Sequence, residues 1–328
     1  MYNYNNNRII AIGDIHGDYY IFIELLKLAK VIDDEFKWIG KDTYVIQLGD
    51  TLDGKRPNIT IEDEFLNTTG EIEITNLILY LDKQAKKKNG RVISILGNHE
   101  LYPYYYYNDK SFNDKYVKDV DLKQYPKLYK VSRFKYYKPG SGEGAILLGK
   151  TRPLIIQLGQ FIFCHGSLNK KFLEECVKHN LTKTSNKKFV DIKKINNVVK
   201  NWLTGESKKI PFFINESENI NPLFNRDLTD PKTLNKTQCV NLVDSVLEYF
   251  QDGNYLVMGH STHKNINTLC DNKVYRTDIA ISRAFGGTLQ KNMKRLQVLE
   301  ITQNNNNVVT NIIVPKTHNT TSGKIKIV

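Results

Sequence analysis

Sulfur is scarce in this chain, whose 328 residues include four cysteines and three methionines. Cys164, Cys176, Cys239 and Cys270 show no CxxC spacing, which argues against a zinc ribbon or a disulfide framework and predicts four reduced thiols. No stretch approaches the roughly 18 consecutive apolar residues of a membrane span, and residues 1–7 lack the apolar core of a signal peptide. These absences predict an intracellular, soluble, cytoplasmic protein without a membrane partner. Internal repeats are absent too. Acid is outnumbered, 35 Asp and Glu against 47 Lys and Arg, for a formal charge of +12. That excess raises the question of nucleic acid, but the lysines are spread over helix faces, as in residues 82–88 and 187–194, where solvation is the default. Nucleic acid therefore ranks low as a partner, although the positive field would draw anionic ligands. Nothing in the sequence sets an oligomeric state.

What is present suits an α/β domain. With 40% hydrophobic residues the chain can bury a sizeable core in one domain. Apolar runs from Arg8 to Ile12, Thr43 to Leu48, Val92 to Leu96, Phe161 to Cys164 and Tyr255 to Met258 read as strands. Tyr19 to Ile32 and Glu71 to Ala85 carry helical spacing, and alternation of strand with helix predicts a largely parallel central layer. Further strands are expected over Thr151 to Gln157 and Gln160 to Cys164, with helices at Lys170 to His179, Lys188 to Leu203 and Thr237 to Phe250. Thr268 to Cys270, Lys273 to Arg276 and Arg295 to Ile301 read as the second sheet of a sandwich. The catalytic domain is expected over residues 1–301, with residues 302–328 giving an edge strand and a mobile tail. The Tyr-rich segment from Leu101 to Lys138 breaks the pattern and is expected to form a lid or substrate wall.

Five motifs share one chemistry. They are Gly13-Asp14-Ile15-His16-Gly17, Gly49-Asp50-Thr51-Leu52-Asp53, Gly97-Asn98-His99-Glu100, His165-Gly166 and Gly259-His260, most of them placed after one of the apolar runs. Loops at the carboxyl ends of strands can aim side chains into a crevice over a rigid base. Two cations about 3.5–4 Å apart can clamp both oxygens of an in-line phosphoryl transfer and activate a water. Asp14 and His16, two apart on a segment read as extended, would point the same way and grip one ion, and Asp50 has two oxygens with which to bridge. Asn98, His165 and His260 would complete the second ion's ligands. A carboxylate, amide and imidazole set without thiolate favours manganese first, with iron or zinc also suitable.

The ordered motifs GDxHG, GDxxD, GNHE, HG and GH over residues 8–301 resemble those of the calcineurin-like metallophosphoesterases, within them the phosphoprotein phosphatases. Residues 143–148 with Arg152-Pro153, Phe163 to Gly166, Pro222 to Arg226 and Arg276 to Phe285 are similar to the bacterial-like, Shewanella-like branch. The resemblance implies a metallophosphoesterase β-sandwich flanked by helices, with a binuclear site at the strand ends. It implies hydrolysis of phosphoserine or phosphothreonine in phosphoprotein or peptide substrates, with phosphotyrosine also admitted. Asp14, His16 and Asp50 match first-ion ligands, and Asp50, Asn98, His165 and His260 match second-ion ligands. His99 matches the general acid, Asp53 the carboxylate that orients it, and Arg226 a phosphate-binding arginine, with Asn98 also facing the substrate.

Two positions depart from that pattern. The family's usual GDxxDRG is here Gly49 to Asp53 followed by Gly54-Lys55-Arg56-Pro57, so Arg56 is expected to replace the missing arginine, with Lys55 as its rival. The usual HGG is here His165-Gly166-Ser167. Arg226 has a second reading as a salt-bridged structural arginine, and Arg283 reads as a clasp behind the last strands. His179, His263 and His318 read as surface or packing residues, with the substrate mouth left open as a second reading for His263. Two other functions stay open. One is a dinucleoside polyphosphate hydrolase of the same fold, with Tyr102 to Tyr107 as stacking faces, and the other is a non-catalytic phospho-ligand binding module.

Overall fold

The computed structural model describes residues 8–108, 114–215, 220–231, 234–304, 307–315 and 324–325. Among these the strands are β1 (Arg8–Ile12), β2 (Tyr44–Gln47), β3 (Arg91–Ser94), β4 (Ile156–Leu158), β5 (Phe161–Phe163), β6 (Tyr255–Met258), β7 (Asn267–Leu269), β8 (Val274–Arg276), β9 (Val298–Asn304), β10 (Asn307–Ile313) and β11 (Lys324–Ile325). They form a six-stranded sheet, β11-β10-β9-β1-β2-β3, and a five-stranded sheet, β4-β5-β6-β8-β7.

Burial explains the layering. In β1, Ile9, Ile10, Ala11 and Ile12 are all fully buried, as expected of a strand covered on both faces. Alternation does the same work in the second sheet, where Phe161 and Phe163 join the core shared with β1 and β2 while Ile162 faces the core on the other side. The helix Tyr19–Leu28 packs Phe22, Leu25 and Leu26 into the first core, and Asp18 caps it by accepting from the Ile21 amide. The helix Ile192–Thr204 packs Ile195, Val199 and Trp202 into the second. The result is a two-sheet sandwich flanked by helices.

Several expectations need correction. β9 does not join the second sheet, because it pairs antiparallel with β1 in the first, Ile301 against Ile9 and Leu299 against Ala11. The first sheet is therefore mixed, its parallel part being β1, β2 and β3. A local pattern of apolar residues fixes strand character but not which strand is the neighbour. β10 pairs with β9 over seven residues and lies inside the sheet, with β11 beyond it. Residues 316–323 and 326–328, where a mobile tail and His318 were placed, lie outside the described residues. Thr151 ends the helix Glu143–Thr151 instead of opening a strand. Glu143 opens that helix as its first residue, a favourable place for a negative charge.

The four cysteines are not all thiols. Cys239 and Cys270 form a disulfide, while Cys164 and Cys176 are free and buried. Their partnership depends on the first turn of the helix Lys236–Leu247 packing beside the end of β7, 31 residues away, which sequence spacing does not reveal. No helix among the described residues is long and apolar enough to cross a membrane.

Candidate active site

Six strand ends deliver one buried polar cluster. Asp14 and His16 follow β1, Asp50 and Asp53 follow β2, Asn98 and His99 follow β3, and His165, His260 and Asp278 follow β5, β6 and β8. The turns that aim them are tight. His16, Asp50, Asp53 and His260 hold φ of 45°, 53°, 66° and 70°. Each such non-glycine residue costs about 1–3 kcal/mol, so these positions are held for their side chains rather than for backbone comfort. The Asp14–His16 segment is thus not extended. The turn still brings His16 Nε2 to 4.0 Å from Asp14 Oδ2 and 3.8 Å from Asp50 Oδ2. Gly97 has no room for a side chain, since a Cβ there would collide with Asp50 Oδ1 and with the Asp50 amide.

Each imidazole has one nitrogen committed. His165 Nδ1 lies 2.7 Å from the Leu48 carbonyl and His260 Nε2 lies 3.1 Å from the Phe224 carbonyl. A carbonyl only accepts, so these nitrogens carry the protons. The lone pairs of His165 Nε2 and His260 Nδ1 then converge on Asn98 Oδ1, at 2.8 and 3.1 Å. Asp50 Oδ2 stands 3.3 Å from the same His165 nitrogen. With both imidazoles neutral, these four acceptor atoms face one another without a hydrogen between them and fit a cation. His16 Nδ1 is likewise directed at the Leu52 carbonyl, 3.1 Å away, while Nε2 faces Asp14 and Asp50 and, in the metal-free protein, accepts from Arg56 Nη2 at 2.7 Å. Asp50 belongs to both groups whose ligand atoms lie within 4.8 Å of one another, His16-Asp50-His99 and Asp50-His165-His260.

Electrostatics in the metal-free protein follow from burial. Burial holds the His16 and His260 imidazoles well below their ordinary range, helped by Arg56 at the first and His165 at the second. Burial opposes charge on His165, but the Asp50 carboxylate outweighs it and raises its affinity for a proton. Asp50 moves the other way, for although burial disfavours its charge, His165 and His99 hold it well below the usual carboxylate range. Burial, then the neighbouring Asp278 and Asp50, push Asp14 well above that range. Both histidines with lowered values are neutral near pH 7 and able to ligate.

His99 is held from behind. Its Nδ1 is 2.7 Å from Asp53 Oδ2, and Arg133 Nη2 donates to Asp53 Oδ1 at 2.7 Å. Arg133 also donates to both Glu71 oxygens at 2.9 Å, and the Tyr125 hydroxyl donates to Glu71 at 2.6 Å. Burial disfavours charge on Asp53, but Arg133 and His99 more than offset this and lower its pKa. The segment containing Arg133 is therefore more than a wall. It folds as the helices Asn98–Asn108, Asp119–Tyr129 and Arg133–Tyr136 with a 3-10 turn at Asp114–Tyr116. It does line the site as well, with the Tyr102 and Tyr116 rings 4.1 and 5.7 Å from His99. Phe224 stacks on Tyr102 at 6.1 Å, and Phe285 lies 5.2 Å from His16. Tyr104 and Tyr105 pack on Trp202 and Phe224.

The two departures have structural reasons. A Cβ on Gly54 would stand 2.8 Å from Lys118 Cε, and Lys118 is buried there with its ammonium donating to the Thr68 carbonyl at 2.6 Å. Arg56 reaches the site, with Nη1 on the Asp53 and Lys55 carbonyls and Nη2 within 2.8 Å of the His16 ring nitrogens. The Ser167 hydroxyl accepts from the Leu228 and Thr229 amides at 2.8 and 3.0 Å, tying down the loop that carries Arg226. Arg226 is exposed and anchored through Nη1 on the His260 carbonyl and Ser261 Oγ, at 3.1 and 2.7 Å. His263 secures the same loop through the Thr229 carbonyl, 2.9 Å away. His179 stacks on Phe212, and Arg283 clasps Asp18.

Sequence reading did not single out Arg133, Lys118, Glu100, Arg152 or Asp278 as site residues. Glu100 was visible as the last letter of its motif. It accepts from the Asp50, Thr51 and Gly97 amides and from Arg152, at 2.7–2.9 Å, and so holds the Asp50 turn. Arg133 and Lys118 lie in a segment without a motif, and only the fold brings them here.

The calcineurin-like phosphoesterase family model matches residues 7–276, and the chain belongs to that family. It is a hydrolase with phosphatase function, of a family that works with divalent ions. Shewanella-like protein phosphatase 1 of Plasmodium berghei (strain Anka) is 27% identical over 292 residues, covering 84% of this chain and 68% of that protein. Shewanella-like protein phosphatase 2 of Arabidopsis thaliana is 33% identical over 94 residues, 29% of this chain and 21% of its own length. The cold-active protein-tyrosine phosphatase of a psychrophile Shewanella sp. shares the fold, with a TM-score of 0.65, 21% identity and coverage of 94% of this chain and 78% of that one.

Proposed function

We propose that this protein is a metal-dependent phosphoprotein phosphatase that hydrolyses phosphomonoesters at a two-ion centre. The convergence of Asn98 Oδ1, His165 Nε2 and His260 Nδ1, with Asp50 beside them, carries the reading. Asp14, His16 and Asp50 would hold one ion, and Asp50, Asn98, His165 and His260 the other, manganese being the first choice for this oxygen and nitrogen set. When bound, ions held by these residues would supply charge stabilisation at the phosphoryl group and lower the pKa of a water.

The side chains supply the rest. His99, oriented by Asp53, donates a proton to the leaving oxygen, which matters most when that oxygen is a poor leaving group such as a serine alkoxide. Arg226 binds the phosphoryl oxygens with the edge of its guanidinium turned away from His260 and Ser261. Arg56, anchored on the Asp53 and Lys55 carbonyls beside His16, would be the second phosphate-binding arginine. Phosphoserine and phosphothreonine peptides are the first substrates, and the rings of Tyr102, Tyr116, Phe224 and Phe285 offer a phenyl ester surfaces to stack on, which supports phosphotyrosine alongside them.

A panel of phosphoserine, phosphothreonine and phosphotyrosine peptides, mononucleotides and dinucleoside polyphosphates, each assayed with and without added Mn²⁺, tests this reading. Ion-dependent phosphate release from peptides is expected. Turnover confined to dinucleoside polyphosphates would favour the nucleotide reading, and binding without turnover of any member would leave a phospho-ligand binding module.

A further inference from the structure

Eight acidic side chains are buried among the described residues: Asp14, Asp18, Asp50, Asp53, Glu71, Glu100, Asp121 and Asp278. Five of them have a lysine or arginine partner. Asp18 pairs with Arg283, Asp53 and Glu71 with Arg133, Glu100 with Arg152, and Asp121 with Lys118, at 2.7–3.4 Å. A buried carboxylate without a cation is expensive, so the other three call for another source of positive charge. Two of these, Asp14 and Asp50, are ligands in the two-ion reading. The third is Asp278.

Asp278 stands at the end of β8, where its Cα would be 3.0 Å from a Cβ placed on Gly13, directly before Asp14. Its carbonyl and one carboxylate oxygen are satisfied. The Asp278 carbonyl accepts from the His263 amide, and Oδ1 accepts from the Ala280 amide, both at 2.9 Å. Its Oδ2 is buried without a hydrogen-bond partner. Burial and the Asp50 charge push its carboxyl up to about 6 against the pull of the Ala280 amide, His165 and Arg56, and Asp278 in turn disfavours charge on Asp14.

We propose that Asp278 is a further oxygen donor of the metal centre, its unpartnered Oδ2 serving the ion held by Asp14, directly or through a water on that ion. This rests on the two-ion reading and adds to it a ligand from the second sheet. With two divalent ions the charges also match better, since three carboxylates offset more of the four positive charges than Asp14 and Asp50 do alone. Asp278 is thereby a residue that tunes ion affinity, with Oδ1 occupied by the Ala280 amide and Oδ2 without a partner.

The test uses the full chain stripped with a chelator, with Mn²⁺ binding followed by calorimetry and by electron paramagnetic resonance of free and bound ion. The wild type is expected to take two ions. Asp278→Asn keeps the Oδ1 bond to Ala280 and is expected to weaken one of the two by roughly tenfold or more, the range for losing a polar group that supports a metal centre. The metal-free unfolding temperature of Asp278→Asn should match or exceed that of the wild type, because a buried negative charge has been removed. Asp278→Ser serves as a second variant and should weaken the same ion. Unchanged affinity for both ions in both variants overturns the proposal while leaving the two-ion reading intact, as does a fall in metal-free stability with no change in binding. A wild type that binds no ion overturns both.

Discussion

Arg133 Nη2 sits 2.7 Å from Asp53 Oδ1, while the other oxygen of the same carboxylate faces His99 Nδ1 at the same distance. One carboxylate is thus gripped between a structural cation and the proposed acid. The rotation of Asp53, and with it the direction of His99 Nε2, is set by a side chain from a different helix.

Replacing Arg133 with Met should therefore damage both stability and turnover. Removing one partner of a buried charge cluster costs about 3–5 kcal/mol, because Asp53 and Glu71 are left without compensation. Denaturant unfolding measures that loss. Turnover of an alkyl phosphate should fall further than that of an activated aryl phosphate, and equal losses on the two would argue that Arg133 acts on stability alone.

His99→Ala should keep its ions and lose its proton donor. A drop of about 10²–10⁴ in kcat is expected on phosphoserine peptide. The drop on an aryl phosphate with a good leaving group should be much smaller. Wild-type turnover of phosphoserine peptide by the variant would remove His99 from the acid role.

Arg56→Ala should raise KM for a phosphopeptide more than Lys55→Ala does, since Arg56 is the one placed over His16. The reverse order in steady-state kinetics would assign the missing arginine's task to Lys55.

Acid should destabilise the metal-free protein through His260. Its folded pKa is lowered by burial, while an unfolded histidine titrates near about 6.5. Below that value the unfolded chain takes up a proton that the folded chain refuses, so stability falls as pH falls from about 7 toward 5. His260→Asn should flatten that part of a plot of unfolding free energy against pH. An unchanged slope would contradict a buried neutral imidazole.

Chelation should lower the unfolding temperature if the ions bind only the folded chain. An ion held at 100 times its Kd stabilises by about 2.7 kcal/mol per site. Superimposable melting curves with Mn²⁺ and with chelator would count against the centre.

The motifs made the ligand positions legible because each needs a particular atom type directly after a strand. β1, β2, β3, β5 and β6 were readable for the same reason, as buried strands leave short apolar runs. The assignment of β9 was not readable, for Val298, Leu299 and Ile301 would suit either sheet, and the choice depends on pairing with β1. Nor could sequence show why residue 54 is glycine, because the reason is Lys118, 64 positions later and lying beneath it. Arg133 and Asp278 escaped for a related cause. A buried charge is recognised by what surrounds it, and its neighbours come from distant parts of the chain.

The proposed ligands divide between the layers: Asp14, His16, Asp50 and Asn98 extend from the six-stranded sheet, whereas His165, His260 and the added donor Asp278 extend from the five-stranded one. A cation shared across that seam would act as a rivet between two halves that otherwise meet through apolar side chains and a few polar links such as His165 Nδ1 on the Leu48 carbonyl. Loss of the ions would then be felt as a slackening along the whole contact between layers, with the active site as the first place where the sandwich parts.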